Sequence, residues 1–245
     1  MSGRFERTEL LLGTENLAKL RNAEVVVAGL GAVGSYAVEA LARAGVGAIR
    51  VIDFDIVRET NINRQLYALT STFGQFKVEL AEKRIKEINP DCKVTISKTF
   101  IDAETAPLLL TPKPDALIDA IDSVSCKTVL LKTAYEAGIF TVSAMGAASR
   151  LDFSRVKAAD LSKTESCPLA KRIRRRLRVH GITTGIQCIF SDEPVDPCSV
   201  KEPGAEKDFF ERGRRRRMLG SISYMTGLFG LAAAGEVIKR LTENI

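Results

Sequence analysis

The sequence predicts an α/β fold, a doubly wound and mostly parallel sheet with helices on both faces and a C-terminal extension. Three observations carry this expectation. Short unbroken apolar runs, as in strands buried on both faces, alternate with segments of helical spacing. The first run passes into its helix through a glycine-rich turn. Later runs end in carboxylates, which such a sheet would deliver to the carboxyl edge where ligands bind.

Taken in order, residues 6–20 hold Leu10, Leu11, Leu17 and Leu20 at helical spacing, interrupted by Gly13 and Thr14, and read as two short helices. Residues 25–28 are a buried strand, and from Val33 the residues Ala37, Val38, Leu41 and Ala44 mark a helix. Gly29, Gly31 and Gly34 join the two as G-x-G-x-x-G, a Rossmann-like turn that lets a phosphate approach the helix N-terminus. Residues 49–52 return as a second strand ending in Asp53 and Asp55, one of which falls near the position of a ribose-binding acid. Asn61 and Arg64 then stand three apart and share a face if the segment turns helically. Gly74 and Gln75 precede Lys77 and an amphipathic helix that Asn89 and Pro90 end.

Residues 93–97 alternate as a strand. Residues 115–118 form another buried strand and deliver Asp119 and Asp122. A helix over 125–137, a strand over 140–143 and a glycine and alanine loop at 146–148 follow. Beyond this the pattern changes. Leu169, Ile173 and Leu177 mark one apolar edge of a short helix whose other positions include Arg172, Arg174, Arg175, Arg176 and Arg178. Residues 186–191 read as a strand and 191–209, with three prolines, as a surface loop of low order. Residues 218–235 carry no charge, formally a span candidate, but glycine and hydroxyl residues dilute them, favouring a buried core or dimer helix.

The whole 245 residues fit one domain, with a helical arm at 1–22, a nucleotide-binding core at 23–150, and a basic helix, loop and C-terminal helix at 151–245. Residues 1–7 are polar and charged, unlike a secretory signal, so the expectation is a cytoplasmic protein with no membrane attachment. Five cysteines without a C-x-x-C pair give neither a disulfide framework nor a four-cysteine zinc site. Cys188 sits in an apolar strand pattern and reads as core. His180, the one histidine, reads as a solvated loop residue and leaves little room for histidine-based catalysis. The net charge of +6 is concentrated in two clusters, 171–178 and 212–217, and the rest of the chain is mildly acidic. Clustered arginine points to a polyanionic partner, a solvated basic face being the plainer alternative.

The strings GLGAVG, IDFD, TNINRQ, GQFK and DAIDS, in this order over nearly the whole chain, resemble the ATP-dependent activating enzymes related to ubiquitin activation. RFERTELLLG, AIDSVSCK, DLSKTESCPLAKRIRRRLR and IQCIFSDEPV are similar, within that superfamily, to the tRNA threonylcarbamoyladenosine dehydratases. The resemblance implies adenylation of a carboxylate by ATP with Mg²⁺, releasing pyrophosphate. It assigns Gly29, Gly31 and Gly34 to backbone contacts, Asp55 to the ribose, with Asp53 beside it, Asn61, Arg64 and Lys77 to the phosphates, and Asp122 to magnesium. It further implies a tRNA substrate, with the arginines of 172–178 suited to RNA phosphates, and sulfur-relay proteins among the partners. Arg4 and Arg7 resemble the R-x-x-R motif whose second arginine reaches the triphosphate of the other subunit in a homodimer. Residues 192–206 and 214–217 have no close counterpart in the resemblance. The same ATP site would serve an adenylating enzyme for a ubiquitin-like sulfur carrier, and the fold alone would serve a non-catalytic NAD- or RNA-binding regulator.

Overall fold

The computed structural model describes residues 3–201 and 218–242. Two short helices, α1 (Glu6–Leu12) and α2 (Thr14–Asn22), lead into β1 (Glu24–Ala28), α3 (Gly34–Ala44) and β2 (Ala48–Ile52). The chain continues through α4 (Lys77–Ile88), β3 (Lys93–Ser97), α5 (Thr105–Leu109), β4 (Ala116–Asp119), α6 (Val124–Glu136) and β5 (Phe140–Ala144). Then follow β6 (Val156–Asp160), α7 (Pro168–Arg178), β7 (Gln187–Ser191), the two-residue strands β8 (Val200–Lys201) and β9 (Met218–Leu219), and α8 (Ser223–Thr242).

Seven strands form one sheet in the order β3-β2-β1-β4-β5-β7-β6, parallel throughout except for β6, which runs antiparallel to β7. From β1 the chain first builds outward through β2 and β3, then crosses back to lay β4 on the other side of β1. The crevice where the order reverses is the expected ligand position in such a sheet. Alternate residues of β1 feed opposite cores: Val25 and Val27 pack with α3, α4 and α8, while Val26 and Ala28 pack with α5 and α6. A third cluster joins α7 to β7 through Ile173, Leu177, Cys188 and Phe190. Cys188 is indeed core, and burial pushes its thiol pKa well up.

Two expectations need refinement. The uncharged stretch 218–235 is not one helix: it opens with β9, and α8 starts at Ser223 and runs past Glu236 to Thr242, with Met225, Phe229, Ala233, Ala234 and Val237 buried within the same chain. Among the described residues no helix is long and apolar enough to cross a membrane. α8 lies so close on α3 that a Cβ on Gly230 would stand 2.2 Å from the Val33 carbonyl oxygen. The stretch after β7 carries more order than a plain surface loop, with a 3-10 turn at Pro197–Ser199 and the β8–β9 pairing. Residues 202–217, including the run 214–217, lie outside the described residues.

Candidate active site

The glycine turn sits at the switch point between β1 and β4. Gly29 has φ +87°, a left-handed conformation that glycine alone adopts easily, and a Cβ there would stand 2.9 Å from Ala120 O. Gly34 permits the helix to press on the turn, since a Cβ would fall 1.7 Å from Gly29 O. Gly31 is different: a Cβ there would meet only Gln65 Nε2, at 3.7 Å, so its outer side is open to a ligand.

Asp53 and Asp55 divide the work at the end of β2. Asp53 Oδ2 accepts from Leu30 N (2.6 Å) and Oδ1 from Asp55 N (2.8 Å), so it ties the glycine turn to the strand end. Burial pushes its carboxyl pKa up, against Lys77 and these two amides. Asp55 instead faces the α4 side, where its Oδ2 accepts from Lys77 Nζ at 2.7 Å and its Oδ1 from Arg58 Nη1 at 2.9 Å. Lys77 is 4% exposed. It opens α4, and its own N–H donates to Asp55 O at 3.1 Å, because residues 55–57 and 74–77 run side by side.

Asn61 is buried in a 3-10 turn at Glu59–Asn61, and its Oδ1 accepts from Arg58 N (3.0 Å). Arg64 follows just beyond the turn; its Nη1 donates to Thr60 O (2.7 Å) and Asn63 Oδ1 (2.8 Å). Burial lowers the Arg64 pKa, and the charge of the Asp122 carboxylate opposes that shift. Asp122 is exposed, just beyond β4. Asp119, by contrast, is fully buried: its Oδ2 lies 2.8 Å from Lys127 Nζ and accepts from Ser143 Oγ at 2.7 Å. Lys127 also donates to Ile121 O at 3.1 Å, so this ion pair braces the loop that carries Asp122. Lys127 carries no sequence signal of its own, because it meets Asp119 only through the turn from strand to helix.

On α7 the apolar edge is Ala170, Ile173 and Leu177, and the arginines divide. Arg172, Arg175, Arg176 and Arg178 are exposed. Arg174 is partly buried and donates to Thr164 O at 2.6 Å and to Thr164 Oγ1, so its charge is used within the chain. Arg176 Nη1 donates to Ser125 Oγ at 3.2 Å, which docks the basic face three residues from Asp122. Arg7 is exposed on α1, away from its own glycine turn. Arg4 donates to Glu87 O and Ile88 O, and Phe5 lies against Gly45, so the arm sits at the C-terminal ends of α4 and α3.

A glycine turn at the switch point, an acid and a lysine paired beside it, and an arginine influenced by an aspartate's charge are groups chemically able to hold a nucleoside polyphosphate. Residues 5–244 match the ThiF family. The chain belongs to the ThiF family. Among ThiF-like relatives, the tRNA threonylcarbamoyladenosine dehydratase of Bacillus subtilis is 41% identical over 248 residues, covering 100% of this chain and 97% of that protein. A crystal structure of the Escherichia coli enzyme of that name, in complex with AMP, superposes with a TM-score of 0.87 at 33% identity, covering 98% of this chain and 94% of that one. The molybdopterin-synthase adenylyltransferase of Escherichia coli is 34% identical over 152 residues, covering 61% of this chain. The α/β class, the parallel order of the sheet and the family read from the sequence all agree with these findings.

Proposed function

We propose that this ThiF-family chain is an ATP-dependent tRNA threonylcarbamoyladenosine dehydratase of the cytoplasm. The observation that carries the reading is full-length similarity to proteins of that name, together with a basic helix docked three residues from Asp122. A threonyl carboxylate oxygen bonds to the α-phosphorus of ATP as the bond to the β-phosphate breaks and pyrophosphate leaves. The carbamoyl group of the same nucleoside then bonds to the acyl carbon, gives up a proton, and expels AMP as a ring closes. This second step asks for no enzymatic nucleophile, because intramolecular attack already has a high effective molarity.

In this reading Gly29, Gly31 and Gly34 let the phosphates approach the α3 N-terminus, and Asp55 accepts from the ribose. Binding would then exchange one partner for another: Asp55 releases Lys77 to the phosphates, where Arg64 and Asn61 join it. Positive charge held there favours the departing pyrophosphate. The described residues hold no cluster of three or more His, Cys, Asp or Glu side chains suited to a metal. Magnesium between phosphates needs only one or two carboxylates, and Asp122 fits that lesser demand. When bound, the ion would neutralise charge on the transferring group.

We read the active form as a homodimer. Arg7 lies beyond the far end of α3, whose eleven residues span about 16 Å from the glycine turn, so service in the other subunit's site is the natural role for it. An open apolar groove of Tyr36, Phe153, Tyr224, Leu228 and Leu231 offers surface for such a pair. The deciding experiment supplies ATP, Mg²⁺ and tRNA carrying threonylcarbamoyladenosine, digests the RNA and weighs the nucleosides. Loss of one water is expected. Unchanged nucleoside, with pyrophosphate exchange dependent on a ubiquitin-like carrier instead, would establish the sulfur-carrier alternative.

A further inference from the structure

The loop after β5 holds a charge that the nucleotide chemistry does not use. Arg150 is 3% exposed, and only its Nη2 is bonded, to Ser166 O at 3.0 Å. Its Nε and Nη1 are buried without a partner, and so is Oγ of the adjacent Ser149. A buried guanidinium with two unmet donors is unusual, because each such group forfeits its hydration for nothing. The nearby carboxylates are already engaged. Glu193 accepts from the N–H groups of Leu151 and Asp152, and Asp192 from Arg155 and Lys157.

Three further observations give the place its character. Gly146, on the same loop, lies against Cys167 and Leu169, which sets the N-terminus of α7 beside Arg150. The N-cap Cys167 makes no side-chain cap bond and Pro168 has no N–H, so the first amides of α7 meet no capping side chain. Ser149 and Ser166, on either side of the guanidinium, both have positive φ, 59° and 51°. Non-glycine residues held in that region collect at functional sites. Ser149 lies in a turn and Ser166 in a bend, so admitting a small group between them disturbs no strand or helix.

We infer that Arg150, with Ser149 Oγ and the α7 N-terminus, receives the threonyl carboxylate of the modified nucleoside and aims it at the nucleotide. This rests on the dehydratase reading and assigns that site its second substrate pocket. The geometry favours a carboxylate because Nη2 has a second N–H beyond the one given to Ser166 O, and with the unmet Nε–H on one side or the unmet Nη1–H on the other it forms a parallel fork that matches two carboxylate oxygens. The position fits as well. Asp55, Lys77 and the glycine turn occupy the β1–β2 half of the crevice, and a reacting carboxylate has to enter over β4 and β5. Arg150 follows β5, the strand beside the one that delivers Asp122. It acts as a binding and positioning group and transfers no proton.

The test measures binding without ATP, using three anticodon stem-loop RNAs: one with threonylcarbamoyladenosine, one with its methyl ester, and one unmodified. Wild-type protein should prefer the acid over the ester roughly ten- to hundredfold, as expected of a charge-assisted pair. Arg150→Gln should bind acid and ester alike while binding unmodified RNA as before. Arg150→Lys, which keeps the charge and loses the fork, should retain only part of the preference; it decides the matter if the Gln variant does not fold. Equal weakening of all three RNAs would make Arg150 a backbone-phosphate contact and overturn the proposal. So would a wild-type protein indifferent to the ester, or an Arg150→Lys protein with the full preference. Wild-type protein that distinguishes acid from ester yet leaves modified tRNA unchanged with ATP would overturn the dehydratase reading instead.

Discussion

The two halves of the crevice treat their charges in opposite ways. Over β1 and β2 each acid has a partner from its own chain: Asp53 holds the amides of Leu30 and Asp55, and Asp55 holds Lys77 and Arg58. Over β5 and α7, Arg150 and Ser149 have unmet polar atoms, and Arg172, Arg175 and Arg178 face solvent. Between the halves stands the buried pair of Asp119 and Lys127. The contrast teaches that the β1–β2 half is assembled by bonds within the chain, whereas the β5–α7 half keeps buried donors in reserve, as the proposed substrate pocket requires.

The sharpest way to break this comparison is Lys77→Ala. Loss of a cation at the site of developing charge should lower turnover about 10²- to 10³-fold, with Asp55 still held by Arg58, as single-turnover kinetics would report. Activity near wild type would mean that the Asp55 pair is only structural. Mixing this variant with Arg7→Ala sharpens the result. If Arg7 serves the other subunit, verified mixed dimers contain one site free of both lesions and recover activity that neither parent has.

At the seam, Lys127→Met should leave Asp119 buried without its counter-ion, held only by Ser143 and Ile121 N–H. Removing one partner of a buried pair costs about 3–5 kcal/mol, which urea unfolding would show as a lower midpoint with the same slope. A loss below about 1 kcal/mol would show that the pair contributes little to the seam. The smallest effect belongs to the open face. Arg172→Gln, Arg175→Gln and Arg178→Gln together should flatten the salt dependence of tRNA binding by about three log units of affinity per log unit of salt. Arg174→Gln should leave that slope unchanged, because Arg174 is already spent on Thr164. Equal effects from both would erase the distinction drawn on α7.

The same contrast decides what could be read from the sequence. β1, the glycine turn, α3 and β2 were legible because strands buried on both faces are unbroken apolar runs and a tight turn needs glycine at fixed spacing. An acid at Asp53 or Asp55 came with that pattern, while the choice of Asp55 and the role of Lys77 came from the family resemblance. β6 was not seen: it is an edge strand, VKAAD, whose residues are exposed or only half-buried and so carry no apolar signature. α5 is too short for a periodicity. Lys127 and Arg150 were missed for another reason. Each is a single charged residue whose meaning lies in what the fold buries around it, and no spacing along the chain reports that. The five arginines of α7 looked equivalent in sequence, and only the packing at Thr164 separates Arg174 from the others.

The contact of Gly230 with Val33 has a consequence for how the protein comes into being. The glycine turn before α3 is translated well ahead of α8, the helix that backs it. Until α8 arrives, the face of α3 that carries Ala37 and Leu41 stays bare, and the turn at its head lacks its buttress. Every polypeptide cut short before residue 223 would therefore be left with a correctly encoded but unsupported glycine turn. During synthesis the turn thus waits for its support on a helix encoded far downstream of it.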